Sequence, residues 1–273
     1  MEIIISILSL SLLGITFGVT LAFFARIFHV KVDERLEKIH SLLPGANCGA
    51  CGAAGCFGFA EKIVSGETLI DNCRVASDDT KEAIAKILGR SLKKTDKLVA
   101  RLHCCGGKNA KDKFVYHGIN DCSIAHLVLG GFKQCPVGCL GLGSCLKVCP
   151  FGALSMSSDN LPVVDIIKCK ACNKCVETCP RKLFSLKPLA KTVWVACCLH
   201  YSGKDTRAVC QTGCIACKLC QKSCPTAAIN IIDNLAVIDY TKCTSCGACV
   251  KICPSKCILQ TKQNNSKSQE NIQ

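Results

Sequence analysis

Hydrophobic residues are laid out along this chain in three regimes. Ile3 to Ala25 is an uncharged stretch of 23 residues, long enough for a helix to span a bilayer. The pattern then turns periodic. Apolar residues at 32, 36, 39 and 43 mark a helical stripe over Val32 to Leu43, predicted to continue the first helix as a stalk and to end at Pro44-Gly45. Phe57 to Val64 reads as a short helix with Gly66 at its end. Ser77 to Leu88 reads as another, opened by Ser77/Asp78 and stopped at Gly89. The third regime is short alternating runs. Leu98 to Cys104 reads as a strand. Two hairpins are predicted, Ala153–Met156 with Val163–Asp165 and Ala228–Ile232 with Val237–Asp239, with Asn160 and Asn234 at the turns. From Thr261 the chain is polar, and that tail is expected to be disordered.

The uncharged run reads as a membrane anchor rather than a cleaved signal, which would want a basic start and a small-residue cleavage site. Here the start is Met1-Glu2 and the run ends Phe23-Phe24-Ala25-Arg26. Arg26, Lys31, Arg35 and Lys38 follow it and nothing basic precedes it, so the positive-inside rule puts the rest of the chain in the cytoplasm. Gly14 and Gly18 form a G-x3-G pair, a weak signal for close packing against another membrane helix.

Cysteine decides the chemistry. There are 27, a density that in a secreted chain would mean a disulfide scaffold. Their spacing says otherwise. Cys214 to Pro225 and Cys243 to Pro254 are both C-x2-C-x2-C-x3-C-P, the bacterial ferredoxin run. Three thiolates two residues apart wrap one iron–sulfur cube, and the fourth, before Pro, faces the neighbouring one. One [4Fe–4S] cluster is therefore assigned to Cys214, Cys217, Cys220 and Cys253, and another to Cys243, Cys246, Cys249 and Cys224. Zinc also favours C-x2-C pairs, but not two interlocked sets of four with Pro after each last member. Cys48, Cys51, Cys56 and Cys73, among Gly45, Gly49, Gly52, Gly55 and Gly58, form a further candidate [4Fe–4S] set.

The chain also repeats itself. Cys135-x3-Cys139-x5-Cys145-x3-Cys149-Pro150 has the spacing of Cys210-x3-Cys214-x5-Cys220-x3-Cys224-Pro225, L-P-V-V-D-I-I-K-C matches L-A-V-I-D-Y-T-K-C, and Cys104-Cys105 is echoed by Cys197-Cys198. This predicts a tandem duplication of a two-cluster module. In the first copy Cys169, Cys172, Cys175 and Cys149 take the regular pattern. Leu142 stands where the second copy has Cys217, so the other set is completed with Cys135, beside Cys139, Cys145 and Cys179. Cys104, Cys105, Cys122, Cys197, Cys198, Cys210 and Cys257 stay outside these sets. They read as small buried thiols, with a sixth cluster drawing on some of them as the alternative. Cys210-x3-Cys214-x2-Cys217 matches the spacing of enzymes that cleave S-adenosylmethionine, but further cluster cysteines follow at once and leave no room for a barrel. His103 and His200 read as hydrogen-bonding rather than ligating.

The expected fold is α+β. A transmembrane anchor (1–28) and a helical stalk (29–45) lead into a small helical [4Fe–4S] domain (46–92). Two ferredoxin-like modules (93–190 and 191–260) and the tail (261–273) follow. Aromatics are only 5% of the residues, so the cores are small and bound metal should carry much of the stability. The formal charge is +14. Five clusters at about −2 each would bring the folded total to about +4. Lys and Arg are scattered among the cysteines, which favours an acidic redox protein over nucleic acid as partner. No nucleophile–base pair, phosphate loop or nucleotide fingerprint is present.

With anchor, L-P-G-A-N-C-G-A-C-G motif, C-L-G-L-G-S-C-L-K-V-C-P-F-G-A run and tandem modules in that order, the chain resembles the B subunit of Rnf-type electron transport complexes. The resemblance covers nearly the whole chain. It implies the iron–sulfur subunit of a bacterial inner-membrane translocase, a single-pass protein with its cysteine-rich body on the cytoplasmic side. It also implies about five [4Fe–4S] clusters, electrons taken from soluble ferredoxin, and partner subunits that reduce NAD⁺ and move Na⁺ or H⁺. The alternative is a membrane-tethered polyferredoxin serving a hydrogenase or dehydrogenase.

Overall fold

The computed structural model describes residues 2–28, 33–92 and 96–261. The tail expected beyond Thr261 and the junction at 29–32 lie outside the described residues. In chain order the elements are α1 (Glu2–Ile27), α2 (Glu34–Leu42), α3 (Gly55–Ser65), α4 (Asp78–Leu88), β1 (Leu98–Leu102), α5 (Cys122–Leu127), α6 (Ser144–Lys147), β2 (Leu154–Met156) and β3 (Pro162–Val164). Then come α7 (Lys174–Thr178), β4 (Phe184–Pro188), β5 (Val193–Val195), α8 (Gly203–Val209), α9 (Leu219–Lys222), β6 (Ile229–Ile232), β7 (Leu235–Ile238), α10 (Ala248–Ile252) and β8 (Ile258–Gln260).

α1 is one unbroken helix whose window Leu10–Ile27 is long and apolar enough to cross a membrane, and none of that window is buried against the rest of the chain. Gly14 and Gly18 face open space. α2 is a separate element. Asp33 caps it, accepting the N–H of Arg35 at 2.9 Å, and Leu36 and Ile39 are buried. α2 packs on α3 and α4, so the residues expected to form a stalk belong to the small helical core of Phe59, Ile63 and Ile84. The stripe of apolar positions was visible in the sequence, and what it buries against was not. α3 ends at Gly66 in the left-handed region (φ 86°), and α4 runs from the Ser77 cap, which takes the N–H of Thr80, to Gly89 (φ 62°).

Among the described residues the remainder is built from four two-stranded antiparallel sheets. β2–β3 and β6–β7 are hairpins, turned by Asn160 (φ 57°) and by Asp233 and Asn234 (φ 47° and 63°). β1 pairs with β4, Leu102 opposite Phe184, and β5 with β8, Val195 opposite Ile258. Each long-range pair thus closes a stretch that contains one hairpin and two short helices set after cysteine loops. Trp194 of β5 donates its indole N–H to Leu102 O of β1 at 3.0 Å, and Arg101 lies over the same ring at 4.4 Å. The cores are small aliphatic residues mixed with sulfur: Val193, Ile229 and Ile258 surround Cys214, Cys220 and Cys249, and Val99, Leu183 and Phe184 surround Cys145, Cys169 and Cys175.

Candidate metal centres

The cysteine loops share an uncommon backbone. Ala171 and Asn173, Ala216 and Lys218, and Ser245 and Gly247 all lie at positive φ, two in each C-x2-C-x2-C loop. Non-glycine residues take that conformation at some cost, and alternating it with ordinary helical residues turns successive N–H groups toward one point, a cradle for negative charge. After each Cys-Pro pair another left-handed residue follows: Gly152, Lys182, Ala227 and Lys256. That turn brings an N–H onto the sulfur behind it, Ala153 onto Cys149 and Leu183 onto Cys179 at 3.4 Å, Ala228 onto Cys224 at 3.3 Å. Amide donors aimed at sulfur are what a thiolate ligand of a cluster needs, and they set its reduction potential.

These loops gather thiols into sets. Cys149, Cys169, Cys172 and Cys175 line one cavity, with about 360 Å³ of empty space. Cys214, Cys217, Cys220 and Cys253 line another, of about 310 Å³. Cys249 lies within electrostatic reach of Cys243, Cys246 and Cys224, and Cys73 within reach of Cys51 and Cys48. Cys56 packs on the same small core as Cys51 and Cys73, its N–H held by Asn47 Oδ1 at 2.8 Å. Burial first, then mutual repulsion, pushes the thiols up: Cys175 to about 12, Cys220 and Cys249 to about 11. Thiols held this way keep their protons until a multiply charged core replaces them. Among the described residues no three His, Cys, Asp or Glu side chains are grouped to hold a single metal ion. Three of the donor sets are spread round cavities, an arrangement that suits a cube of iron and sulfide.

One expected set is rearranged. Cys139, Cys145 and Cys179 line a cavity of about 420 Å³ with Cys122, not with Cys135, which lines a different cavity. Leu142 stands where the second copy has Cys217, and the fourth sulfur round this cavity comes from the start of α5. Ser144 holds it there. The Ser144 hydroxyl accepts the N–H of Cys122 at 2.7 Å and donates to Asp121 Oδ2 at 2.9 Å, while Asp121 caps α5 through the N–H groups of Ser123 and Ile124. A D-C pair before a short helix, with Ser two residues after the gap at Leu142, was the only trace in the sequence.

Cys257 is buried 3.6 Å from Cys253 Sγ, in the cavity of the Cys214 set. Its S–H faces Cys214 and Cys253 and holds both thiols below the usual range, while its own proton is held tightly. His103 spends Nδ1 on Val195 O at 2.8 Å and Nε2 on Ser185 Oγ at 2.7 Å, and burial keeps it neutral; His200 Nδ1 is on Asp233 O at 2.8 Å.

Comparison with known proteins agrees with this chemistry. Residues 209–254 match a family described as "4Fe-4S dicluster domain", and residues 43–75 one described as "Putative Fe-S cluster". The B subunit of the ion-translocating oxidoreductase complex of Methanosarcina acetivorans is 41% identical over 87% of this chain and 90% of its own length. The chain belongs to the family of B subunits of ion-translocating oxidoreductase complexes. Two further members are the B subunits of the Na(+)-translocating ferredoxin:NAD(+) oxidoreductase complex of Acetobacterium woodii and of the proton-translocating complex of Clostridium ljungdahlii. The first is 42% identical over 85% of this chain and 70% of its own length, the second 37% over 87% and 84%. Membership of this membrane-associated family accounts for α1, long and apolar and unburied at the N-terminal side of the cysteine-rich body.

Proposed function

We propose that this chain is the electron-entry and relay subunit of a membrane complex that takes electrons from reduced ferredoxin, delivers them to partner subunits that reduce NAD⁺, and is coupled there to Na⁺ or H⁺ movement. α1 would cross the membrane once, with the body on the cytoplasmic side, where four basic residues follow it. The body would comprise the helical domain and two tandem ferredoxin-like modules. Five [4Fe–4S] clusters would be held by the sets of Cys48, Cys149, Cys122, Cys214 and Cys224 described above. Each bound group supplies the uptake and release of one electron at a time.

The observation that supports this reading is the order of the sets in space. Cys48 bears electrostatically on Cys172 and Cys145 on Cys175, so the N-terminal set adjoins the Cys149 set and that one adjoins the Cys122 set. The residues of this chain then do three things. They gather four sulfurs round each of the three cavities of the Cys149, Cys122 and Cys214 sets, supply amide donors to sulfurs such as Cys149, Cys179 and Cys224, and back them with small aliphatic side chains. The full chain, loaded anaerobically with iron and sulfide, should be reduced by reduced ferredoxin within mixing time. A loaded chain that dithionite reduces and ferredoxin does not would remove the entry role.

A further inference from the structure

Six thiols outside those five sets meet in one cavity. Cys104, Cys105, Cys135, Cys197, Cys198 and Cys210 line it, and its empty space of about 310 Å³ equals that of the cavity of the Cys214 set. Three come from the stretch closed by β1 and β4 and three from the stretch closed by β5 and β8, so the cavity lies on the seam between them. The seam is stitched. Lys111 donates its N–H to Val209 O at 2.9 Å and Gln211 to Asn109 O at 3.1 Å, while Gln134 donates to Lys111 O at 2.8 Å. The segments carrying Cys210 and Cys135 are thus tied to the two sides of the same stretch. Buried Lys133 locks that stretch by donating to Gly107 O and Ala110 O.

The two halves contribute in parallel. Cys104 Sγ accepts the N–H of Cys139 at 3.3 Å and Cys197 Sγ that of Cys214 at 3.4 Å; Cys139 and Cys214 hold the same place in the repeated run. Cys135 and Cys210 are equivalent in the same way, one receiving the N–H of Val137 and the other lying 3.6 Å from the Thr212 hydroxyl. Gly106 leaves the space open: a Cβ there would stand 3.2 Å from Cys210 Sγ and 3.7 Å from Cys104 Sγ. Cys105 behaves differently, donating its S–H to Thr212 O at 3.2 Å, and Cys198 leans within electrostatic reach of Cys179. Thiols that collect amide donors are poised to be thiolates, and one that donates to a carbonyl is not.

We propose that Cys104, Cys135, Cys197 and Cys210 hold a sixth [4Fe–4S] cluster at the seam, resting on the reading above. The position gives it a purpose. Cys198 faces Cys179 of the Cys122 set, and Cys197 faces Cys214 of the next. The seam site therefore lies between the Cys122 set and the Cys214 set. Binding a [4Fe–4S]²⁺ core exchanges four S–H bonds for four Fe–S bonds and releases four protons. One electron taken from a reduced neighbour carries the thiolate-bound unit from about −2 to about −3, and passing it on restores the first state.

The test uses the full chain, loaded anaerobically with iron and sulfide, with iron counted per chain and spins counted after dithionite. About 24 iron atoms are expected, four per cluster. Cys210→Ser and Cys104→Ala should each fall to about 20 and keep the other five signals, while Cys105→Ala stays at about 24. Neither Cys210 nor Cys104 belongs to another set, so their loss reports on the seam alone. A wild-type count of about 20 that Cys210→Ser leaves unchanged overturns the proposal. Should Cys210→Ser fail to fold, the wild-type count decides by the same two values. A chain that takes up no iron at all would instead sink the five-cluster reading on which this one rests.

Discussion

Removing the Ser144 hydroxyl tests how the sulfur of Cys122 is delivered. Ser144 is 3% exposed, and its oxygen is the acceptor for the N–H of Cys122. Ser144→Ala leaves that donor unpaired beside the cavity, a loss of about 2 kcal/mol. Losing the other bond, to Asp121, costs little, because that partly exposed carboxylate can turn to water. About 2 kcal/mol is about a 30-fold change in the equilibrium for local opening of the segment that carries Cys122. Iron release to a chelator, followed anaerobically on the loaded full chain, should acquire one phase of about four iron atoms accelerated about 30-fold, with the other phases unchanged. An unchanged rate for that phase would refute this role of Ser144, as would acceleration of all phases together, which would mean global rather than local opening. Cys135→Ser in the same assay should leave the phase alone, because Cys135 lines another cavity.

Three other outcomes are expected. Arg181 lines the cavity of the Cys122 set and donates to Cys135 O at 2.9 Å and to Gly138 O and Gly130 O; its cation favours the more negative, reduced form. Arg181→Met should therefore lower the midpoint potential of one cluster by tens of millivolts (about 59 mV for each tenfold change, one electron), with partial restoration by Arg181→Lys; a redox titration followed by spin resonance showing no fall would contradict this. Phe59 is 1% exposed in the α2–α3–α4 core, so Phe59→Ala should cost about 3–5 kcal/mol and release the iron of the N-terminal set alone, measured by hydrogen exchange and iron count. Burial raises Cys145 and Cys175 to about 12 and Cys135 to about 11, above about 8.5 for an unfolded thiol. The iron-free chain thus holds this contribution in full below about pH 8.5 and loses it as pH climbs toward those values, so its melting temperature should fall through that window. A melting temperature flat from about pH 8.5 to about 11 would contradict it.

What could be read from the chain was what is local in it. Each C-x2-C-x2-C-x3-C-P run carries three cysteines within one loop, and the structure places Cys169, Cys172 and Cys175 round one cavity and Cys214, Cys217 and Cys220 round another. The hairpins come out within a residue or two of the alternation, because Asn160 and Asn234 supply the left-handed turn positions. Long-range facts were invisible. Cys122 belongs to no spacing pattern, since its place is fixed by Ser144 and Asp121 and not by neighbouring cysteines. The Cys104-Cys105 and Cys197-Cys198 pairs showed up as an echo, but nothing in either pair says that it faces the other across a seam. Strands β4, β5 and β8 run to five, three and three residues, too short for periodicity to announce, and are defined by distant partners. α2 was legible as a helix, while the core it fills was not.

The pairing of β5 with β8 has a consequence for biosynthesis. As the ribosome releases the polypeptide, Val193–Val195 appears well before Ile258–Gln260, and every cysteine from Cys197 to Cys257 emerges between the two. Cys214, Cys217 and Cys220 must also wait for Cys253 to complete their set. For that interval the nascent chain displays reactive sulfur with neither its covering strand nor its cargo, a vulnerable stage typical of topologies closed by distant segments. Maturation of this half is therefore expected only after translation has passed residue 260, and under conditions that keep more than ten thiols reduced until iron is delivered.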